Sequence, residues 1–228
     1  MKLRNLIDIE DLSLEEWNEL YGLASQIIAH PKDFVDALHG DVMASLFFEP
    51  STRTNFSFQT AMMRLGGSVF GFADPKSSST SKGETLKDTI KMVSNYADVI
   101  VMRTPTEGAA KAASLYADVP VINAGDGGHM HPTQTLADLT TIATLRGEIR
   151  GLNVGVCGDL KNGRTVHSLI KALAMFPGIR FYLIAPRDLA IPGYMLEFMK
   201  EKGLKFVEVT NLEATMPQLD VLYMTRIQ

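Results

Sequence analysis

In the stretch "FFEPSTRTNFSFQ", Ser51, Thr52, Arg53 and Thr54 stand directly behind a run of apolar residues. Three hydroxyls and a guanidinium where a strand hands over to a helix suit an oxyanion. Free helix N–H groups bind anions, and arginine adds charge-assisted bonds. An ordinary N-cap accounts for Ser51 or Thr52. It leaves Arg53 unexplained, because the helix dipole disfavours a cation in the first turn. A bound phosphate reverses that sign.

Residues of the same kind recur along the chain. Arg103 follows the apolar run 98–102, and His131 and Gln134 lie in "GDGGHMHPTQ" after 119–124. Arg164 follows 152–158, and Arg226 and Gln228 follow 220–225. Ligands of parallel α/β sheets bind outside the carboxyl ends of the strands. Four arginines and a histidine at that class of position in a net-acidic chain point to a site for small anionic substrates, expected between two domains. Pro132 at a helix start sets His131 near the N-cap and Gln134 in the first turn, again an anion-friendly end.

Each motif has a competing reading. His129 and His131 with Asp126 could suggest a metal site, but they lack clear spacing and a third firm ligand; a loop histidine with no function is the plainer alternative. "GDLKNGRT" (158–165) nearly matches a phosphate-binding P-loop, with Gly158, Gly163 and Thr165 in place but Arg164 where the lysine belongs. A planar guanidinium fork suits a carboxylate better than that lysine's role as a point charge. "SSSTSKGE" (77–84) reads either as a solvated linker with a Ser81–Glu84 capping box, or as a lid bringing Lys82 to a closing site.

The elements that must position these residues alternate. "VMASLFF" (42–48) is nearly continuous in apolar residues, as a strand covered on both faces should be. "SVFGF" (68–72), "DVIVM" (98–102) and "VPVINA" (119–124) read as further strands, with helices near 84–96, 108–117 and 133–146. Phe58, Ala61, Met62 and Leu65 fall at i, i+3, i+4 and i+7, a helix face. A second series runs through "LNVGVCG" (152–158), "IRFYLIA" (179–185), "LKFVEV" (204–209) and "DVLYMT" (220–225). At the N-terminal end "SLEEWNELYGLASQII" opens with a Ser13–Glu16 capping box. The expected fold class is α/β, with two domains, each a parallel sheet flanked by helices, spanning 1–147 and 148–228. The sequence stops three residues past a predicted strand, so the second domain is expected to be incomplete at its C-terminal end.

Bulk properties narrow the function classes. The 228 residues are 46% hydrophobic and 21% charged, with a formal net charge of -4 and a pI near 5.7. That balance argues against a general nucleic-acid or membrane-surface binder. A lone cysteine, Cys157, allows no disulfide within the chain and fits a reducing cytoplasm. The first residues carry acids where a signal peptide needs an apolar core, and no apolar run approaches transmembrane length. A soluble cytoplasmic protein is expected.

With these residues assembled, the chain resembles the catalytic chains of aspartate carbamoyltransferases, of the aspartate/ornithine carbamoyltransferase family. "FFEPSTRT", "SKGETLKDT", "VMRTP", "NAGDGGHMHPTQTLADL", "GDLKNGRTVHSL" and "YMTRIQ" match family patterns in order and spacing over essentially the whole chain. The resemblance implies transfer of the carbamoyl group from carbamoyl phosphate to L-aspartate, giving N-carbamoyl-L-aspartate and phosphate, the committed step of pyrimidine synthesis. It implies that Ser51, Thr52, Arg53, Thr54 and Arg103 hold the phosphate, with Ser78 contributing. Thr54, Arg103 and His131 would polarise the carbamoyl oxygen, and Gln134 would bind its amide. Lys82, Arg164, Arg226 and Gln228 would hold aspartate. Arg53, Thr54, Lys82, Arg103 and His131 are the expected catalytic set.

The resemblance also implies a homotrimer whose sites take Ser78 and Lys82 from a neighbouring subunit, and it allows for regulatory chains. Carbamoyl phosphate is already activated, so no metal or organic cofactor is expected; orientation and cations aimed at developing charge would supply catalysis. Asn55 departs from the family, which commonly has a second arginine there. The nearest rival is an ornithine carbamoyltransferase, against which stand Lys82 in "SKGET", "HPTQ", and the suitability of Arg164 and Arg226 for a dicarboxylate. A non-catalytic homologue serving as an assembly partner should have lost site residues that are present in this chain.

Overall fold

A computed structural model describes residues 4–74, 82–127 and 130–226. The chain divides into two compact units, Met1–Thr133 and Gln134–Gln228. The sequence reading set its boundary at 147/148, after the helix Pro132–Arg146 (α5), whereas the contacts divide the chain at the start of that helix. The reason lies in its hydrogen bonds. Arg146 Nη2 donates to Asp220 Oδ1 at 2.8 Å, and Asp220 Oδ2 accepts from the Asn153 N–H, so the end of α5 is tied to the second sheet.

The first unit opens with α1 (Leu14–Ala29), whose Ser13–Glu16 capping box forms as expected: the Glu16 N–H donates to Ser13 Oγ and the Ser13 N–H to Glu16 Oε2. Then come β1 (Val42–Phe47), α2 (Thr52–Arg64), β2 (Ser68–Phe72), α3 (Leu86–Val93), β3 (Val99–Thr104), α4 (Ala109–Tyr116) and β4 (Val121–Asp126). All pairings are parallel, in the order β2-β1-β3-β4. Side chains of a strand alternate between faces, and β1 shows it. Ala44 and Leu46 join Ile100 and Met102 of β3 against α3 and α4. Met43 and Phe47 join Val101, Ala124 and Met62 of α2 on the opposite face. Phe58 and Met62 pack as the helical spacing predicts, whereas Ala61 is exposed. The cap of α3 also differs from expectation. Thr85 caps it, accepting from the Asp88 N–H; of the expected Ser81–Glu84 pair, Ser81 lies outside the described residues.

The second unit runs through β5 (Asn153–Cys157), α6 (Arg164–Leu173), β6 (Arg180–Ile184), α7 (Gly193–Glu201), β7 (Lys205–Val209), α8 (Leu212–Thr215) and β8 (Val221–Met224). Its sheet is parallel throughout, ordered β7-β6-β5-β8. Central strand β5 buries Val154 and Val156, while edge strand β8 exposes alternate residues and edge strand β7 exposes Lys205, Val207 and Glu208. No described helix is long and apolar enough to cross a membrane.

Candidate active site

Both sheets have one topological switch, where neighbouring strands send the chain to opposite sides, and such a crevice is where open α/β sheets bind ligands. In the first sheet it lies between β1 and β3. Ser51 to Thr54 follow β1, and Arg103 lies at the end of β3. In the second sheet it lies between β5 and β8, followed by Arg164 and Arg226. The cations singled out in the sequence therefore gather at the same place in each sheet.

At the first switch, Ser51 stands at the N-cap of α2, but its hydroxyl makes no cap bond. Ser51 Oγ donates instead to Thr54 Oγ1 at 3.0 Å. A plain capping serine is thus the wrong description: the first-turn N–H groups keep no side-chain acceptor from it, and Thr52 and Arg53 are exposed. Asn55, without an assigned role in the sequence, is 5% exposed, and its Oδ1 accepts from Ser45 Oγ at 2.8 Å and Gln59 Nε2 at 2.7 Å. It fastens the first turn of α2 to the middle of β1.

Arg103 lies within β3, not behind it, where the β3–β4 register shifts between Met102 and Thr104. Such bulges re-aim side chains. The guanidinium is held at two corners: Nη2 donates to Glu49 Oε1 at 2.8 Å and Nη1 to the Ala124 carbonyl at 3.4 Å, while buried Nε has no acceptor among the described residues. His131 is 8% exposed, as is Arg103. The two converge at Gly125, where an added Cβ would lie 3.2 Å from Arg103 Nη1 and 3.5 Å from His131 Cδ2. Gly125 has φ +122, which strains any L side chain.

Asp126, weighed as a metal ligand, has its carboxylate engaged in the loop. Oδ1 accepts from the Met130 N–H and Asn123 Nδ2, and Oδ2 from the Gly108 N–H. These bonds shape the turn that delivers His131. His129 lies outside the described residues.

In the second unit, Asp159 organises "GDLKNGRT". Its Oδ1 accepts from the backbone N–H groups of Lys161 and Asn162, at 3.1 and 2.9 Å. A P-loop would turn such N–H groups toward a phosphate; in this chain they serve the loop. The glycines answer to crowding as well: a Cβ on Gly158 would lie 2.2 Å from the Thr225 carbonyl, and one on Gly163 2.5 Å from that of Asp159. Arg164 begins α6, which is anchored by His167. The His167 Nε2–H donates to the Leu160 carbonyl at 2.7 Å, so Nδ1 accepts from the Tyr194 hydroxyl at 3.0 Å. Burial holds its pKa below the usual histidine value, against the pull of the Leu160 carbonyl.

Gln134 is the first residue of this unit, and its Nε2 donates to Asp138 Oδ1 at 2.9 Å. Asp138, Tyr223 and Thr165 were not singled out in the sequence as site residues; for Asp138 the signal was its place four residues after Gln134. Glu49 was visible inside "FFEPST" but its pairing with Arg103, 54 residues away, was not. Lys82 stands exposed ahead of α3, and Arg226 is exposed behind β8. Ser78 and Gln228 lie outside the described residues. A cavity of about 580 Å³ in the second unit, lined by Arg187, Glu208 and Asn211 among others, includes none of the expected substrate-binding residues.

Residues 4–144 match the carbamoyl-P binding domain of aspartate/ornithine carbamoyltransferases, and residues 150–228 match their Asp/Orn binding domain. The aspartate carbamoyltransferase catalytic subunit of Clostridium perfringens is 55% identical over 229 residues, covering 100% of this chain and 75% of that protein. That of Finegoldia magna is 54% identical, covering 100% and 74%. Among solved structures, the catalytic subunit of M. jannaschii aspartate transcarbamoylase superposes with a TM-score of 0.94 at 48% identity, covering 99% of this chain and 74% of that one. Aspartate transcarbamoylase from Trypanosoma cruzi, solved with N-(phosphonacetyl)-L-aspartic acid, gives 0.92 at 40% identity, covering 100% and 76%.

Proposed function

The chain belongs to the aspartate/ornithine carbamoyltransferase family, and from that premise we propose that it transfers the carbamoyl group of carbamoyl phosphate to the amine of L-aspartate, releasing N-carbamoyl-L-aspartate and phosphate for pyrimidine synthesis. The observation that carries this reading is the placing of arginines at the switch point of each sheet. The first set takes carbamoyl phosphate: Ser51, Thr52, Arg53 and Thr54 at the start of α2, with Arg103, hold the phosphate. An incoming anion competes with Glu49 for Arg103. The second set, Arg164 and Arg226 with Gln228, takes the carboxylates of aspartate; two guanidiniums suit a dicarboxylate and repel a cationic amino acid such as ornithine.

The aspartate amine attacks the carbonyl carbon. Thr54, Arg103 and His131 stabilise the charge that grows on the carbonyl oxygen, and Gln134 accepts from the amide. The bond between the carbonyl carbon and the phosphate oxygen breaks, Arg53 stabilises the departing phosphate, and a phosphate oxygen takes the proton from the attacking nitrogen. Preorganised donors aimed at developing charge supply much of the rate enhancement in many acyl transfers. The roles of Ser78 and Lys82, which would come from a neighbouring subunit of a homotrimer, and the regulatory chains rest on family resemblance, and a cytoplasmic location rests on the lone Cys157.

The test is product formation with aspartate and with ornithine, together with His131→Ala. N-carbamoyl-L-aspartate should form and citrulline should not. His131→Ala should lower kcat by about 10²-fold or more, as loss of an oxyanion donor does, and weaken carbamoyl phosphate binding less. An effect confined to KM would show that His131 does not stabilise the carbonyl oxygen in the transition state.

A further inference from the structure

Gln134, in the proposed reaction, receives the carbamoyl amide. That amide is a donor, so the side chain must present its carbonyl oxygen, Oε1, and keep its own NH₂ turned away. Neither end of a glutamine is favoured by shape, since the two are nearly isosteric.

We propose that Asp138 is a positioning residue that fixes the orientation of the Gln134 amide and thereby sets the preference for a carbamoyl over an acyl group. An ionised carboxylate only accepts hydrogen bonds. Asp138 Oδ1 takes Gln134 Nε2 at 2.9 Å, so Oε1 is the end left to meet a substrate donor. The alternative is an ordinary surface pair at i, i+4, which stabilises a helix slightly. The setting of Asp138 argues otherwise. It is half-buried, and its Oδ2 is out of water without a hydrogen bond of ordinary geometry among the described residues. Burial raises its pKa, while the Gln134 NH₂ and the Tyr223 hydroxyl favour the charged form. Tyr223 is in turn influenced by Thr165, the residue after Arg164. A carboxylate kept at that cost is suited to a task that a neutral group could not perform.

The inference rests on the proposed role of Gln134, and the experiment separates the two. Acetyl phosphate carries a methyl group where carbamoyl phosphate carries NH₂. On the full chain, the apparent affinities of both are measured for wild type, Asp138→Asn and Gln134→Ala. Asp138→Asn should raise KM for carbamoyl phosphate about tenfold while the Ki of acetyl phosphate stays within about twofold, the size expected for one mispaired polar contact to the substrate. Gln134→Ala should compress the ratio similarly. Equal weakening of both ligands by Asp138→Asn would show a merely structural residue and overturn the proposal. So would an unchanged ratio in Asp138→Asn beside a compressed one in Gln134→Ala. If neither variant compresses it, the role of Gln134 fails and the orientation role of Asp138 with it.

Discussion

Individual residues carry this site through their neighbours as much as through their own chemistry. Arg103 and His131 were legible as types, a guanidinium and an imidazole behind strands, but what brings them together is Gly125, which has no side chain to advertise a role. Asn55 was legible only as an oddity. A polar residue in a helical pattern reads as surface, and its partner Ser45 sits ten residues earlier in an apolar strand. Asn55→Ala should destabilise the fold by about 1–3 kcal/mol, because it strands the Ser45 hydroxyl, 1% exposed, without its acceptor. Urea denaturation measures this. A variant as stable as wild type would show that the Ser45–Asn55–Gln59 chain does not hold α2 in place.

Elements were read well from apolar runs, since buried parallel strands need them on both faces; β2 was read at its observed ends, Ser68–Phe72. Where caps compete, pattern alone fails: Ser81–Glu84 and Thr85–Asp88 both fit a helix start, and Thr85 caps α3. The seating of α6 was not legible at all, because His167 reaches Leu160 and Tyr194 from a helix buried over most of its length. That seating has a pH signature. A histidine with a depressed folded pKa binds fewer protons than the unfolded chain between its folded and ordinary values, so stability rises with pH there. The contribution is present above the ordinary histidine value and is lost as pH falls through the folded one. Lys171 lowers the pKa further and Asp159 opposes it, both less than burial does. Thermal unfolding from about pH 7 to pH 5 should therefore fall less steeply in His167→Gln than in wild type. Equal slopes would mean that His167 does not supply the acid sensitivity.

For the whole molecule, two parallel sheets with one switch point each explain why Arg53, Arg103, Arg164 and Arg226 come at matching places in the two sheets. The alternation of strands and helices made both sheets legible. The boundary read at 147/148 falls between the family-matched segments 4–144 and 150–228, whereas the contacts give α5 to the second unit, where Arg146 pairs with Asp220, 74 residues away. The central claim is that the two cation sets serve one phosphate and one dicarboxylate. The direct measurement is calorimetric titration with N-(phosphonacetyl)-L-aspartate, on this chain and on one extended to the length of its relatives, of which it spans about 75%. The extended chain should bind the analogue, with Arg53→Ala and Arg164→Ala each weakening binding about 10- to 100-fold, as loss of charge-assisted bonds does. No binding, or binding indifferent to both substitutions, would contradict the claim.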